Sequence, residues 1–193
     1  MKALFSFLLA AAVIQNVPSS SASTLFDDGF EAGQLGTAWS TSVTSQGRVT
    51  VSTANVPATG SNLLILDDSV SDATYSVAEA TISLDLTNKK NVVLSFKAKS
   101  LGNEAHTPPT GNFTTTRAYD GVAISTNGGT TWRSVQSLAA VGTAWESFSI
   151  MLDASVTSLA GTFGPDFRVR FSGYDNAPVP LASGATCRAR VIV

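Results

Sequence analysis

Chemistry in a chain of this size starts from its carboxylates, its single histidine, His106, and its single cysteine, Cys187. Glycoside hydrolysis needs two carboxylates about 5 to 10 Å apart. The best same-face pair on one run is Glu79 and Asp85. Six residues of extended chain separate them by roughly 20 Å, so they cannot act together. Nucleophilic catalysis lacks a Gly-x-Ser-x-Gly elbow, and His106 falls in a Pro-rich stretch rather than after a strand. One cysteine and one histidine leave no cysteine-based or two-histidine zinc site. What stays open is binding. Tyr119 and Tyr174 flank two irregular segments and, with Asp120, Asp175 and Asn176, form the candidate ligand surface.

The elements that must position these residues read as strands. Along 76–86, Ala78, Ala80, Ile82, Leu84 and Leu86 alternate with Glu79, Thr81, Ser83 and Asp85, a half-buried antiparallel pattern. Along 91–99, Val92, Leu94, Phe96 and Ala98 point inward. Phe167, Val169 and Phe171 do the same against outward Arg168 and Arg170, and shorter runs occur at 48–53, 63–66, 122–124 and 148–152. No long window repeats at helical spacing, so little helix is expected. Asn127-Gly128-Gly129 between two runs is the strongest hairpin signal, while 102–117 and 175–180 read as irregular loops.

Composition narrows the class. The 193 residues carry 12 Lys plus Arg against 14 Asp plus Glu, a net charge of −2, and are 44% hydrophobic. That excludes a basic nucleic-acid binder and a disordered chain. Lys2, the apolar run 3–14, Pro18 and the small residues up to Ser23 have the pattern of a signal peptide, cleaved after Ala22 or Ser23. Twelve apolar residues are short for a bilayer span, and no later window is longer. The expectation is an exported protein with a signal peptide at 1–23, one all-β domain at 24–193 and no membrane span in the mature chain.

Several of these segments together resemble the concanavalin A-like jelly-roll β-sandwiches, especially MAM-like domains of secreted proteins. The likeness is carried by Phe26-Asp27-Asp28-Gly29-Phe30-Glu31 with Gly33 and Trp39, by 91–99, by Asp120-Gly121-Val122-Ala123-Ile124-Ser125, by Trp145-Glu146-Ser147-Phe148 and by 167–171. The resemblance implies a jelly-roll β-sandwich of two antiparallel sheets and a non-catalytic module for adhesion or carbohydrate binding, contacting glycans or a cell-surface partner. It also implies structural calcium, with Asp28 and Glu31 as the matching acids. The last run, Thr186 to Val193, has Arg188 and Arg190 where the family has its second acid. Ser125 to Trp132 resembles the Asp-box hairpin, with Asn127 in place of Asp and a structural role. The alternatives are a carbohydrate-active enzyme on the same fold, marked by a clustered carboxylate pair, and a structural envelope component, marked by a large exposed apolar patch.

Overall fold

A computed structural model describes residues 7–16, 23–55, 57–58, 60–101, 105–115 and 118–179. The strands are β1 Phe7–Asn16, β2 Ser23–Phe26, β3 Trp39–Val43, β4 Gly47–Ser52, β5 Leu63–Asp68, β6 Ser76–Leu84, β7 Val92–Ser100, β8 Asn112–Phe113, β9 Gly121–Ser125, β10 Trp132–Ser137, β11 Glu146–Met151 and β12 Phe167–Asp175. One short helix, α1 Asp153–Ser158, follows β11. The chain is an all-β sandwich of two antiparallel sheets, as the period-two runs require.

Sheet A has the order β11-β7-β1-β5-β4, with β2 alongside β1. Sheet B has the order β3-β6-β12-β9-β10-β8. The chain changes sheet between β2 and β3, β3 and β4, β5 and β6, β6 and β7, β7 and β8, β10 and β11, and β11 and β12, so it crosses repeatedly from one layer of the sandwich to the other. The central strand of sheet A, β1, comes from the segment whose sequence reads as a leader. Among the described residues no helix is long and apolar enough to cross a membrane.

The core is the set of inward residues that alternation predicts. On β7, Val92, Leu94, Phe96 and Ala98 are buried, and on β12 so are Phe167, Val169 and Phe171. Phe96 of sheet A meets Phe171 of sheet B edge to face, with ring centres 5.4 Å apart, and stacks on Phe148 at 4.8 Å. Such pairs add about 0.5–1.5 kcal/mol beyond burial. The N-terminal motif closes one end of this core. Phe30 is fully buried at φ +59°, and its ring packs on Trp39 at 5.5 Å. Asp28 makes that backbone tolerable: its Oδ1 accepts from the Phe30 N–H at 2.7 Å and its Oδ2 from Trp39 Nε1 at 2.8 Å.

The glycine pair at 128–129 behaves as its sequence implies. Both take positive φ, +69° and +91°. Asn127 Oδ1 accepts from Ser125 Oγ and from the Thr131 N–H, each at 2.9 Å, which locks the turn between β9 and β10.

Candidate functional site

Register fixes which residues share the outer face of sheet B. In β3, β6, β12 and β9, Ser40, Thr81, Arg170 and Ala123 stand side by side, and Ser42, Glu79, Ser172 and Gly121 form the next row. Arg168 lies opposite Ser83 and Ser125 in the row on the other side. Alternation makes this face polar, and hydroxyl side chains at 40, 42, 81 and 83 bear that out.

The same face also holds a buried charge. Arg170 and Glu79 are only 5% and 2% exposed. Arg170 Nη1 lies 3.2 Å from Glu79 Oε1, and Nη2 donates to the Tyr119 hydroxyl at 3.4 Å. Its guanidinium carbon sits 4.1 Å from the Trp132 ring centre and 5.6 Å from that of Phe113. A planar cation can meet an aromatic face and a carboxylate at once because its donors lie in its plane and its π-contact lies above it. Phe113, Tyr119, Ala123 and Trp132 form a small apolar cluster around it, and burial raises the Tyr119 pKa above the usual tyrosine value.

Beside this cluster is a pocket of about 290 Å³ whose lining includes Ser40, Glu79, Thr81, Trp132, Arg168 and Arg170. Arg168 is the half-buried cation of the pocket, and among the described residues it makes no ion pair. The hairpin turn leaves room for it: a Cβ added at Gly129 would lie 3.7 Å from Arg168 Cδ and 3.1 Å from Trp132 Cζ2. The pocket therefore presents fixed donors, hydroxyls that both donate and accept, and an aromatic edge. Its single carboxylate is already bound to Arg170.

A larger cleft, about 650 Å³, lies between Thr87–Lys90 and the segment after α1. Lys89 and Lys90 are exposed there, and the Asp153 carboxylate is taken by the backbone N–H groups of Asn91 and Val92 at 2.9 and 3.1 Å. It joins the start of β7 to α1 and offers no fixed buried charge.

The five residues expected to form one ligand surface are divided. Tyr119 is fully buried and belongs to the Arg170 cluster. Asp120, also buried, holds the 105–107 loop to β12: its Oδ1 accepts from the Tyr174 N–H at 3.0 Å, its Oδ2 accepts from the His106 N–H at 3.1 Å, and His106 Nδ1 stands 3.3 Å away. Burial raises the Asp120 pKa against those donors. Tyr174 stacks on Tyr75 with centres 5.0 Å apart, and His106 meets it edge-on at 4.7 Å. Asp175 Oδ1 caps a turn by accepting from the Asn176 and Ala177 N–H groups. Only Tyr174 and Asn176 are half-exposed.

The two acids matched to calcium serve loops. Both Asp28 oxygens accept hydrogen bonds, as described, and the Glu31 carboxylate receives the Ser61 N–H at 3.0 Å on each oxygen and the Asn62 N–H at 3.3 Å. Calcium needs six to eight oxygens free to point at it. Among the described residues no group of three or more acids, histidines or cysteines comes together. Cys187 and the last run, Thr186 to Val193, lie outside the described residues.

Arg168, Arg170 and Glu79 were legible singly as outward residues and Trp132 as the ring that packs on the turn, but not as a cluster. The signal was two arginines at i and i+2 on one strand face, and only the register between β12 and β6 brings Glu79 beside the second of them. Compared with known proteins, the chain matches no family model, no curated protein and no solved structure.

Proposed function

We propose that this chain is an exported, non-catalytic binding module of MAM-like, concanavalin A-like type, and that the outer face of sheet B binds glycans. The observation that carries the reading is the pocket beside Arg168, where a half-buried cation, a row of hydroxyls and the edge of Trp132 converge. A sugar presents hydroxyls around an apolar ring face, so it needs both donor–acceptor side chains and an aromatic or methyl-bearing surface. With Glu79 balanced by Arg170, the charge left in the pocket is that of Arg168, which favours an acidic glycan over a neutral one.

The same charges support binding rather than catalysis at this pocket. A two-carboxylate mechanism needs a free acid and a free base, whereas the pocket has one acid, Glu79, held by Arg170. A glycan array covering uronic, sialylated, sulfated and neutral sugars tests the proposal. Selective retention of acidic glycans supports it, and retention of none overturns it.

A further inference from the structure

We propose that β11, a free edge of sheet A, is where two copies of this chain pair, antiparallel and about a two-fold axis at Ser149. The edge belongs to the other sheet from the Arg168 pocket, so the inference does not depend on glycan binding. Among the described residues β11 pairs with β7 alone, from Glu146↔Ala98 to Met151↔Val93. Its other side is open. Glu146, Ser147, Ser149 and Met151 are exposed, and Met151, at 52%, is the most exposed large apolar side chain among the described residues. An edge strand without a lysine, a proline or a bulge is a template for another strand, and β11 has none of the three.

The ladder to β7 determines what the open side offers. The Leu152 N–H donates to the Val92 carbonyl at 2.9 Å, which makes 152 and 92 a hydrogen-bonded pair. Such pairs alternate along an antiparallel ladder. Phe148 and Ile150 therefore direct their N–H and C=O groups to β7, while Ser147, Ser149 and Met151 direct theirs outward. An antiparallel copy with Ser149 on the axis uses every one of these groups. Ser149 exchanges two hydrogen bonds with Ser149 of the partner copy, and at each end Ser147 of one copy exchanges two with Met151 of the other.

The side chains fit the same register. On the core side it sets Phe148 of each copy opposite Ile150 of the other, a non-hydrogen-bonded pair with Cα atoms about 4.5 Å apart. Both residues are half-buried and packed on the core, and Phe148 is held by its stacking on Phe96 at 4.8 Å. Aromatic and β-branched side chains are favourable cross-strand partners. The one charge of β11, Glu146, falls at opposite ends of the two copies, about 20 Å apart, well beyond the roughly 8 Å over which salt leaves charges interacting. A shift of two residues in one direction sets Ile150 opposite Glu146, and in the other sets Ser147 opposite Asp153, already in α1. The other free edges fit a second copy less well: β4 carries Arg48, β8 has two residues, and β3 offers only serine and threonine between Trp39 and Val43. Six residues a side, against about 20–30 in a long-lived complex, make this a reversible dimer that forms as concentration rises.

The test is sedimentation equilibrium of the full chain from micromolar to near-millimolar concentration. The wild type should rise from the monomer mass towards twice that value. Ser149→Pro removes an outward donor and leaves the bonds to β7 in place, because proline is tolerated where the N–H faces out of an edge. Ser149→Lys and Ser149→Glu each bring like charges together on the axis. All three variants should self-associate about tenfold more weakly or worse, with the Tm of the dilute monomer unchanged. An equimolar mixture of the Lys and Glu variants should recover the dimer. A wild type that stays monomeric throughout would overturn the proposal, whether or not the edge takes up an extended peptide instead. So would a dimer that survives all three substitutions, which would belong to another surface, or a charge-swapped mixture that stays monomeric where the wild type pairs.

Discussion

The guanidinium carbon of Arg170 lies over the Trp132 ring, 4.1 Å from its centre, on the face of sheet B that alternation assigns to solvent. Glu79 completes the arrangement from the neighbouring strand. A buried ion pair of this kind adds little net stability over an apolar pair of the same shape, but losing one partner strands the other charge. Its effect here is placement: it holds Trp132 at the pocket rim and leaves Arg168 as the cation that can meet a ligand.

Removing either member alone should therefore cost about 3–5 kcal/mol. Glu79→Leu and Arg170→Met are the single variants. The double variant should be less destabilised than the sum of the two, and denaturant unfolding of all four proteins measures that difference. Additive losses would mean that Glu79 and Arg170 do not act as a pair.

Gly129 tests the rim by a different route. At φ +91° an alanine is strained, and its Cβ would press on Trp132 Cζ2 at 3.1 Å. Gly129→Ala should lower stability by about 1–2 kcal/mol and shift tryptophan fluorescence. Gly164→Ala, where a Cβ meets nothing within 4 Å, should do neither.

How far the sequence led can be judged from these positions. Strands β6, β7, β9 and β12 and the turn at Asn127 were legible because their signals are local: alternation and a glycine pair. Arg170 was legible only as an outward residue. Its burial depends on Trp132 and Phe113 folding over it from β10 and β8, and on a register that sets Ser172 opposite Glu79. Tyr119 and Asp120 illustrate the converse. Adjacent in sequence and taken together as a surface, they enter different clusters, Tyr119 beside Arg170 and Asp120 between His106 and the Tyr174 N–H.

Acidity should act through Asp67 and Asp120, both of which burial raises above the usual aspartate range. Each binds more protons folded than unfolded once the pH exceeds about 4. Their contribution is therefore fully present below that point and is lost as the pH rises through the folded value. Asp67 keeps Arg48 and the Val179 N–H as partners throughout, and Asp120 keeps His106 and the Tyr174 N–H. Melting curves from pH 4 to 7 should show Asp120→Asn losing less stability across that interval than wild type. An equal or steeper loss in the variant would contradict this assignment.

Chelation separates a loop clamp from a metal ligand at Glu31. With its carboxylate held by the Ser61 and Asn62 N–H groups, Tm should be the same with calcium and with chelator. Glu31→Ala should cost about 0.5–1.5 kcal/mol in both conditions, the net worth of a clamp whose exposed donor water can take over. A Tm that falls in chelator would restore the metal.

The central claim, a glycan site on the outer face of sheet B, is tested most directly by titrating the best-retained acidic glycan against wild type and Arg168→Ala. Loss of a charged hydrogen bond, about 1.5–3 kcal/mol, predicts roughly 10- to 100-fold weaker binding, with Tm unchanged because Arg168 makes no ion pair among the described residues. Equal affinity for the two proteins, or no glycan bound by either, would contradict it.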